Sequence, residues 1–341
     1  MKPRSDRNAR RAKLPRSGRG DAAATSPPRS AERDAPHAAA RHAVRPPRIW
    51  VYIDAVARHG SIRKAADALH IASSALNRRV LDLEHELGTT LFERLSRGVR
   101  LTAAGEVFLG YVRRSLSDLT LVGSQIEQLR GLVRGRVRVA ATESMAGDFL
   151  PRAIARFQST HPWVNFEVTV GAPHGLAALL HDDTVDLVLT HVAAEGSDIS
   201  VLAARKEPFC ALVSPGHALA ARTSLRLRDC MAYPIALGDA SLAGRALVER
   251  ALSRSSQRLE PKVVSNSVEL MKAYARMSDA VCFQFRVGGS RDVAAEEMVA
   301  IPLADAALQG GQLILAARSG RVLPVAAAAF AEELRSLIDG Q

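Results

Sequence analysis

The sequence is poor in cysteine and in aromatic residues, and each shortage excludes a class of protein. The three cysteines, Cys210, Cys230 and Cys282, are widely spaced and include no C-x-x-C pair, so neither a disulfide framework nor a zinc ribbon is indicated. This usage favours a reducing, cytoplasmic setting. Aromatic residues make up 4% of the chain, and no stacking platform for RNA or single-stranded nucleic acid is visible.

Long apolar runs and catalytic motifs are missing as well. No uninterrupted apolar stretch approaches the roughly 18 to 20 residues that a membrane helix needs. The chain contains no G-x-S-x-G elbow, Walker A loop, G-x-G-x-x-G or H-E-x-x-H, and His174 with His181 would supply only two metal ligands. We therefore expect no enzyme activity, no metal site, no cofactor and no membrane partner.

Basic residues exceed acidic ones, and the excess is confined to the first two fifths of the chain. Of 341 residues, 46 are Lys or Arg and 35 are Asp or Glu. Residues 1–47 contain 12 basic and 4 acidic residues, residues 48–131 contain 12 and 9, and residues 132–341 contain 22 of each. A basic surplus at one end of an otherwise neutral globular chain points to a nucleic-acid partner.

A disordered basic tail is predicted for residues 1–47, which are rich in Arg, Ala, Pro and Ser and have almost no large apolar residues beyond Leu14 and Val44. No apolar segment follows Arg10-Arg11, so an export signal is not indicated. One interpretation is an arm that adds affinity for phosphate backbones. The other is an inert tail, or a start codon chosen too far upstream.

Residues 48–101 show three short helical patterns followed by a hairpin. Ser61 is a good N-cap for the second helix, and the third begins at about Ser73 after a break at residues 70–72. Gly88 ends the third helix, whose predicted buried stripe is Leu76, Val80, Leu83 and Leu87. Two short helices, a tight turn and a longer helix form the helix-turn-helix pattern, whose second member enters the major groove.

Polar and basic residues occupy the positions that would face DNA. The third helix presents Ser73, Ser74, Asn77, Arg78 and Arg79, whose side chains suit base edges and phosphates. The hairpin that follows is predicted to be a wing with a basic tip, and its arginines are Arg94, Arg97 and Arg100. Each arginine alone is more often a solvated charge, but helices, turn and basic hairpin in this order predict DNA binding.

The same region resembles the winged helix-turn-helix of LysR-type transcriptional regulators. The matching residues are Gly60-Ser61, Ala65-Ala66, Leu69, Ala75-Leu76, Leu83-Glu84, Leu87-Gly88, Leu91-Phe92-Glu93-Arg94, Arg97-Gly98 and Leu101-Thr102-Ala103-Ala104-Gly105. The family usually opens the recognition helix with Ser, Gln and Pro, where this chain has Ala72, Ser73 and Ser74, and it usually has Ser where this chain has Asn77. The resemblance implies a winged domain at residues 48–106 with its own base preference.

A long helix is predicted to follow the N-cap Thr102, and residues 107–131 of this region are assigned as a dimerising linker helix. Its apolar positions recur at alternating spacings of four and three residues, which is the seam of a coiled coil: Phe108, Val112, Ser115, Leu119, Val122, Ile126 and Leu129. The alternative is a helix packed on its own domain. The family resemblance favours dimerisation, with a homodimer or homotetramer binding double-stranded promoter or operator DNA.

Residues 132–341 alternate between strand and helix patterns and predict an α/β domain with a mostly parallel sheet. The predicted strands are 137–141, 164–170, 185–190, 209–213, 235–237, 262–264, 280–283 and 313–317. The region resembles, more loosely, the family's effector-binding domain, whose two lobes are similar to type 2 periplasmic binding proteins. That resemblance places lobe I at about 132–209 and 306–341, and lobe II at about 210–305.

Polar residues at strand ends and a helix start are the candidate ligand contacts. They are Thr142, Glu143 and Ser144 after the first strand, Thr190 and His191 after the third, Asn266 and Ser267 before a helix of lobe II, and Gln284 after the strand that starts at Ala280. Singly each is typical of a cap or turn. Together, given the resemblance, they predict a cleft for a small-molecule effector, and Glu143 favours a cationic or zwitterionic one.

The prediction is thus a cytoplasmic, nucleoid-associated LysR-type regulator that binds specific duplex DNA under control of a small molecule. Two rival hypotheses remain open. In one, the protein is a soluble solute-binding or sensory protein whose helical N-terminus serves only for assembly. In the other, it is a general nucleoid binder driven by the basic tail. The arginines of the third helix and the wing distinguish the prediction from the first, since assembly does not require them.

Overall fold

A computed structural model describes residues 45–129, 133–192, 198–253 and 258–340 of the chain. Apart from residues 45–47, the predicted basic tail lies outside the described residues. No helix in these four ranges is long and apolar enough to cross a membrane.

Three helices form the N-terminal domain as predicted: α1 (Arg48–His59), α2 (Ile62–Ala68) and α3 (Ser73–Leu87). Gly60 ends α1 in the left-handed conformation, with φ of 58°, and the Ser61 side chain accepts a hydrogen bond from the Lys64 amide to cap α2. Ile53, Ala65 and Leu76 are fully buried where the three helices meet. The predicted stripe of α3 ends early, because Leu87 lies outside this cluster and is 43% exposed.

A two-stranded wing follows, with β1 (Phe92–Leu95) antiparallel to β2 (Gly98–Leu101). Glu84 of α3 fixes the start of the wing. Its carboxylate accepts hydrogen bonds from the backbone amides of Leu91 and Phe92, at 2.7 and 3.0 Å. Gly98 has φ of 104°, and a Cβ there would lie 2.3 Å from the Gly60 carbonyl oxygen. The wing therefore packs directly on the turn between α1 and α2, which only a glycine at this position allows.

The linker helix α4 (Ala103–Gln128) begins at Thr102, whose hydroxyl accepts from the Gly105 amide at 3.0 Å. The first half of its seam packs within the chain, and Val112 is fully buried. The second half is uncovered, with Val122, Ile126 and Leu129 45%, 44% and 89% exposed. The first half of the helix therefore packs on its own chain, as the alternative predicted, whereas the second half leaves an apolar face exposed on which dimerisation stays a prediction.

One arginine of α4 joins the two parts of the chain. The Arg113 guanidinium lies 3.2 Å from the Asp54 carboxylate of α1 and 3.1 Å from the carboxylate of Asp182, which belongs to the C-terminal domain. Its side chain is 15% exposed.

The C-terminal domain contains two five-stranded sheets. The sheet of lobe I has the order β4-β3-β5-β12-β6, with strands β3 (Gly135–Ala141), β4 (Val164–Val170), β5 (Leu187–Thr190), β6 (Ile199–Lys206) and β12 (Gln312–Arg318). The sheet of lobe II has the order β11-β7-β10-β8-β9, with strands β7 (Phe209–Val213), β8 (Ile235–Gly238), β9 (Val263–Ser265), β10 (Val281–Phe285) and β11 (Val299–Pro302). The chain crosses between the lobes after β6 and again before β12.

Helices cover both sheets. They are α5 (Glu143–Ala146), α6 (Phe149–Thr160), α7 (Pro173–His181), α8 (Leu227–Cys230), α9 (Ala243–Ser253), α10 (Val268–Arg276), α11 (Ser290–Ala294) and α12 (Val325–Asp339), with short 3₁₀ turns at Arg286–Gly289 and Ala306–Leu308. The aromatic core of lobe I joins Phe157 of α6 to Phe330 of α12, with ring centroids 5.2 Å apart. The result is the predicted two-lobed α/β domain.

The expectation of a mostly parallel sheet is confirmed, since four of the five strands in each sheet run in the same direction. The reversed strands are β12 in lobe I and β7 in lobe II. They arise from the double crossover, because β12 returns from lobe II and enters the sheet of lobe I against the direction of β5. Strands β6 and β11 were not predicted, because both are edge strands with weak apolar patterns, and β11 ends in a proline.

Candidate DNA-binding surface and ligand cleft

The recognition helix α3 presents four of its five predicted contact residues to solvent. Ser73, Ser74, Arg78 and Arg79 are exposed. Asn77 was expected to be exposed and is instead half-buried, because its side chain faces the wing and accepts a hydrogen bond from Arg94 at 2.9 Å. The helix and the wing therefore form one continuous surface, joined by a contact between two predicted DNA-binding residues.

The first turn of α3 is open to an anion. Ala72 occupies the N-cap position and makes no side-chain hydrogen bond to the helix, whereas Ser61 caps α2. The first backbone N–H groups of a helix have no partner within it and carry the positive end of the helix dipole. Ser73 and Ser74 flank this position with hydroxyl groups, so the start of α3 is suited to a phosphate.

The three arginines of the wing differ in their surroundings. Arg94 contacts Asn77, while Arg100 is paired with Glu93 across the hairpin at 2.7 Å. Arg97 lies in the turn between β1 and β2 and is exposed. Among the residues that the structure describes, Arg97, Arg78 and Arg79 have no carboxylate within 4.0 Å. These three side chains are thus available for DNA phosphates or base edges.

The predicted effector residues fall into a connected group and two outliers. Thr142, Glu143, Ser144 and Gln284 line a narrow cleft between the lobes. Its volume of about 20 Å³ is room for one or two water molecules. His191 lies directly behind it and is bonded through Nε2 to the Ser144 hydroxyl at 2.8 Å. The cleft is therefore closed in this structure.

Glu143 fastens the two lobes together across the cleft. Its carboxylate accepts a hydrogen bond from the Val268 amide at the start of α10, with an O–N distance of 2.6 Å. Ser267 caps the same helix by accepting from the Leu270 amide. Burial raises the pKa of Glu143 above 4.5, although the hydrogen bond from Val268 lowers it. An anion site at a helix N-terminus is thus filled by the protein's own carboxylate.

His191 is a neutral group beneath the cleft. Burial lowers its pKa to about 3, so the imidazole is uncharged at physiological pH. The ring stacks on Phe285 with centroids 3.7 Å apart, and Nδ1 contacts the Gln312 carbonyl at 3.0 Å. A neutral ring that donates through Nδ1 to this carbonyl has Nε2 free to accept from Ser144.

Two predicted effector residues lie apart from the cleft. Thr190 is buried, and its hydroxyl accepts from the Val192 amide at 3.3 Å, which is a local turn contact. Asn266 is exposed and does not line the cleft. Gln284 does line it but lies within β10 rather than after it, because that strand runs to Phe285.

Sequence reasoning missed the contribution of the loop after β8. Ser241 lines the cleft, and both its amide and its hydroxyl donate to Asp239, at 2.8 and 2.6 Å. These bonds lower the pKa of the Asp239 carboxyl. The sequence does carry a signal for this loop, since a polar turn follows an apolar strand here as it does at Thr142.

Comparison with known proteins finds the same two-part organisation. Residues 38–106 match the family model described as bacterial regulatory helix-turn-helix protein, lysR family. Residues 130–339 match the model described as LysR substrate binding domain. Together the two models cover most of the chain.

Two curated relatives illustrate the similarity. The SDS degradation transcriptional activation protein of a Pseudomonas strain is 32% identical over 295 residues, which are 83% of this chain and 92% of the relative. The RuBisCO operon transcriptional regulator of Allochromatium vinosum is 30% identical over 223 residues, which are 65% of this chain and 74% of the relative.

Solved structures agree on the fold. A full-length cysteine variant of OxyR from Pseudomonas aeruginosa superposes with a TM-score of 0.62 at 19% identity, covering 84% of this chain and 93% of that one. An OxyR cysteine mutant from Corynebacterium glutamicum gives a TM-score of 0.53 at 19% identity, covering 87% and 93%.

Proposed function

The chain belongs to the LysR family of transcriptional regulators, and from this premise we propose that it binds an operator through α3 and the wing while an effector acts on the cleft. The observation that carries the DNA-binding part is the joined surface of α3 and wing. Arg78, Arg79 and Arg97 are exposed there, beside the uncapped start of α3. Arginine side chains and open helix N-termini are the groups that bind phosphates and guanine edges.

The assembly that we propose is a homodimer or a dimer of dimers paired through the second half of α4. Val122 and Ile126 of α4, with Leu129 directly after the last residue of the helix, form the exposed end of the heptad seam. Apolar residues at heptad spacing on an exposed helix face are the pattern that a second copy of the same helix covers in a coiled coil. Pairing would present two recognition helices to a two-fold related DNA site.

The effector that we propose is a small molecule carrying an amine, either a cation or a zwitterion. Glu143 is the charged group that lines the cleft, and His191 beneath it is neutral. The hydroxyls of Thr142 and Ser144 and the amide of Gln284 supply further hydrogen bonds. Because Glu143 now holds the lobes together, an ammonium group that binds it would change how they are joined.

We propose further that the protein is a cytoplasmic regulator without catalytic activity or a resident cofactor. The support is its kinship: the relatives named above are transcriptional regulators. Such a protein acts by binding and needs no catalysis. When the effector alters the arrangement of the lobes, promoter occupancy or DNA bending changes.

The test of DNA binding is a footprint on the DNA flanking the protein's own gene. We expect the full-length chain to protect a discrete site, and Arg78→Ala to weaken specific binding by about 1 to 3 kcal/mol if the residue contacts a base. Arg250→Ala, which removes an exposed charge from α9 of lobe II, is the control and should bind like the parent. If Arg78→Ala and Arg79→Ala both bind normally, the N-terminal domain serves only for assembly.

The tail and the cleft are tested separately. A chain lacking residues 1–47 should still protect the same site, whereas loss of the footprint would favour the general nucleoid binder. A thermal-shift screen of amines, amino acids and organic acids tests the cleft, because a ligand that binds only the folded protein raises its apparent stability. Stabilisation by organic acids alone, unchanged in Glu143→Gln, would contradict an amine-bearing effector in the cleft.

A further inference from the structure

A second, larger cavity lies outside the cleft, and we call it the basic groove. It runs between α6, the crossover that follows β6, and the turn after β10, with a volume of about 670 Å³. This is within the range of ordinary small-molecule sites, roughly 300 to 1,000 Å³. Its rim carries five cationic side chains, Arg152, Arg156, Arg205, Lys206 and Arg286. None of its lining residues lines the cleft.

The positive charge of the groove is only partly neutralised. Three of the arginines have acidic neighbours: Arg152 has Asp148 at 3.2 Å, Arg156 has Glu333 at 2.8 Å, and Arg205 has Glu207 at 3.4 Å. Lys206 and Arg286 are exposed, and within the described part of the chain neither has a carboxylate within 4.0 Å. Two cations in one groove are thus free to bind an anion.

The rest of the lining is apolar. Phe149 and Val287 are 7% and 6% exposed and contribute to the groove wall, with the half-buried Leu337 of α12 beside them. An inorganic ion would leave this surface wet, whereas a ligand with an apolar body would cover it.

We propose that the basic groove is a second ligand site that binds an organic anion, namely a carboxylate or phosphate group on an apolar body. Arg286 and Lys206 bind the anionic group, and the guanidinium of Arg286 offers the paired donors that carboxylates and phosphates accept. The apolar body lies against Phe149, Val287 and Leu337.

A ligand in the basic groove would touch both lobes. Phe149 and Leu337 belong to lobe I, and Arg286 and Val287 to lobe II. The buried Glu207 carboxylate in the crossover already accepts from the Val287 amide at 2.7 Å, so the groove is built on the joint between lobes. Such a ligand favours one arrangement of the lobes over others.

The basic groove is also connected to the cleft through adjacent residues. Arg286 follows Phe285, whose ring stacks on His191 behind the cleft. A shift of the Arg286 backbone therefore moves the adjacent Phe285, which lines the cleft. The two sites are expected to affect each other's affinity, and by linkage the effect is equal in both directions.

The test uses titration calorimetry on the full-length protein with four probes. Phenylacetate and phenyl phosphate carry an anion and an apolar ring, benzyl alcohol has the ring without the charge, and inorganic phosphate has the charge without the ring. We expect one site for each of the first two and much weaker binding of the last two. The tighter of the first two shows whether the groove prefers a carboxylate or a phosphate.

Variants locate the site. The double variant Lys206→Gln/Arg286→Gln should bind both ring anions at least about tenfold more weakly. Arg222→Gln/Arg250→Gln removes the same charge from outside the groove and should bind like the parent. Unchanged binding in the groove variant, equal loss in the outside variant, or equal affinity for benzyl alcohol would each overturn the proposal.

Discussion

The guanidinium of Arg94 in the wing donates a hydrogen bond to the side-chain oxygen of Asn77 in the recognition helix, with an N–O distance of 2.9 Å. The two residues are 17 positions apart and were each predicted to contact DNA. Because they bond to each other, the wing and α3 form one joined surface.

This contact predicts that Asn77→Ala and Arg94→Ala are not additive in DNA binding. Each should weaken specific binding by about 1 to 2 kcal/mol, because each removes one side of the same contact. The double variant should lose less than the sum of the single effects. Fluorescence anisotropy on the protected operator measures all four affinities, and additivity to within about 0.3 kcal/mol would rule out a functional coupling.

Replacing Gly98 should detach the wing. Gly98→Ala places a Cβ 2.3 Å from the Gly60 carbonyl oxygen at a residue with φ of 104°, so both the contact and the backbone are strained. We expect a loss of about 2 kcal/mol or more in unfolding free energy, measured by urea titration. Gly88→Ala is the matched control: it shares the positive φ but meets no atom within 4 Å, and should cost about 1 kcal/mol. Equal losses would show that the approach to Gly60 is unimportant.

Glu143 should make stability depend on pH in a defined direction. Because burial raises its pKa above 4.5, the folded protein holds the proton more tightly than the unfolded chain does. Stability from this group is present below the unfolded pKa and is lost as pH rises through the folded pKa. Glu143→Gln should therefore gain in melting temperature relative to the parent between pH 4.5 and 7. A constant difference between the two melting curves across that range would exclude this role.

Lys272 is a buried cation in lobe II. Its ammonium lies 2.6 Å from Asp292 and 2.6 Å from Glu269, and its side chain is 3% exposed. Burial opposes the charge, but the two carboxylates hold the pKa of Lys272 above 10.5. Lys272→Met leaves the buried Asp292 with Arg276 alone, so we expect a loss of about 3 kcal/mol in unfolding free energy. Arg245→Met, which breaks a more exposed pair with Glu249, should cost less than about 1 kcal/mol.

Local patterns made the DNA-binding domain predictable. A few adjacent residues were enough to predict the helix ends at Gly60 and Gly88 and the cap at Ser61. The structure has all three. The relation of Asn77 to Arg94 could not be read this way, because it depends on how the hairpin folds back on α3. Exposure of a helical position was predicted from that helix alone, without the wing beside it.

The C-terminal domain shows where such reasoning stops. Glu143 and Val268 are 125 residues apart, and nothing near either one indicates that a carboxylate of lobe I caps a helix of lobe II. The basic groove is similarly assembled from α6, the crossover and the turn after β10. Strand ends were good guides to the cleft, since polar residues that follow apolar strands gather at one edge. Sites built from crossovers and helix flanks carry no comparable local pattern.

The bridge at Arg113 gives the molecule a mechanical property. One guanidinium is shared between Asp54 and Asp182, so a displacement of lobe I that lengthens one ion pair alters the restraint on the other. In a paired assembly each copy would have one such bridge, which links α1 to lobe I through Arg113 of α4. A change in the arrangement of the lobes would thereby reach the DNA-binding domain through a residue that lies outside α3 and the wing.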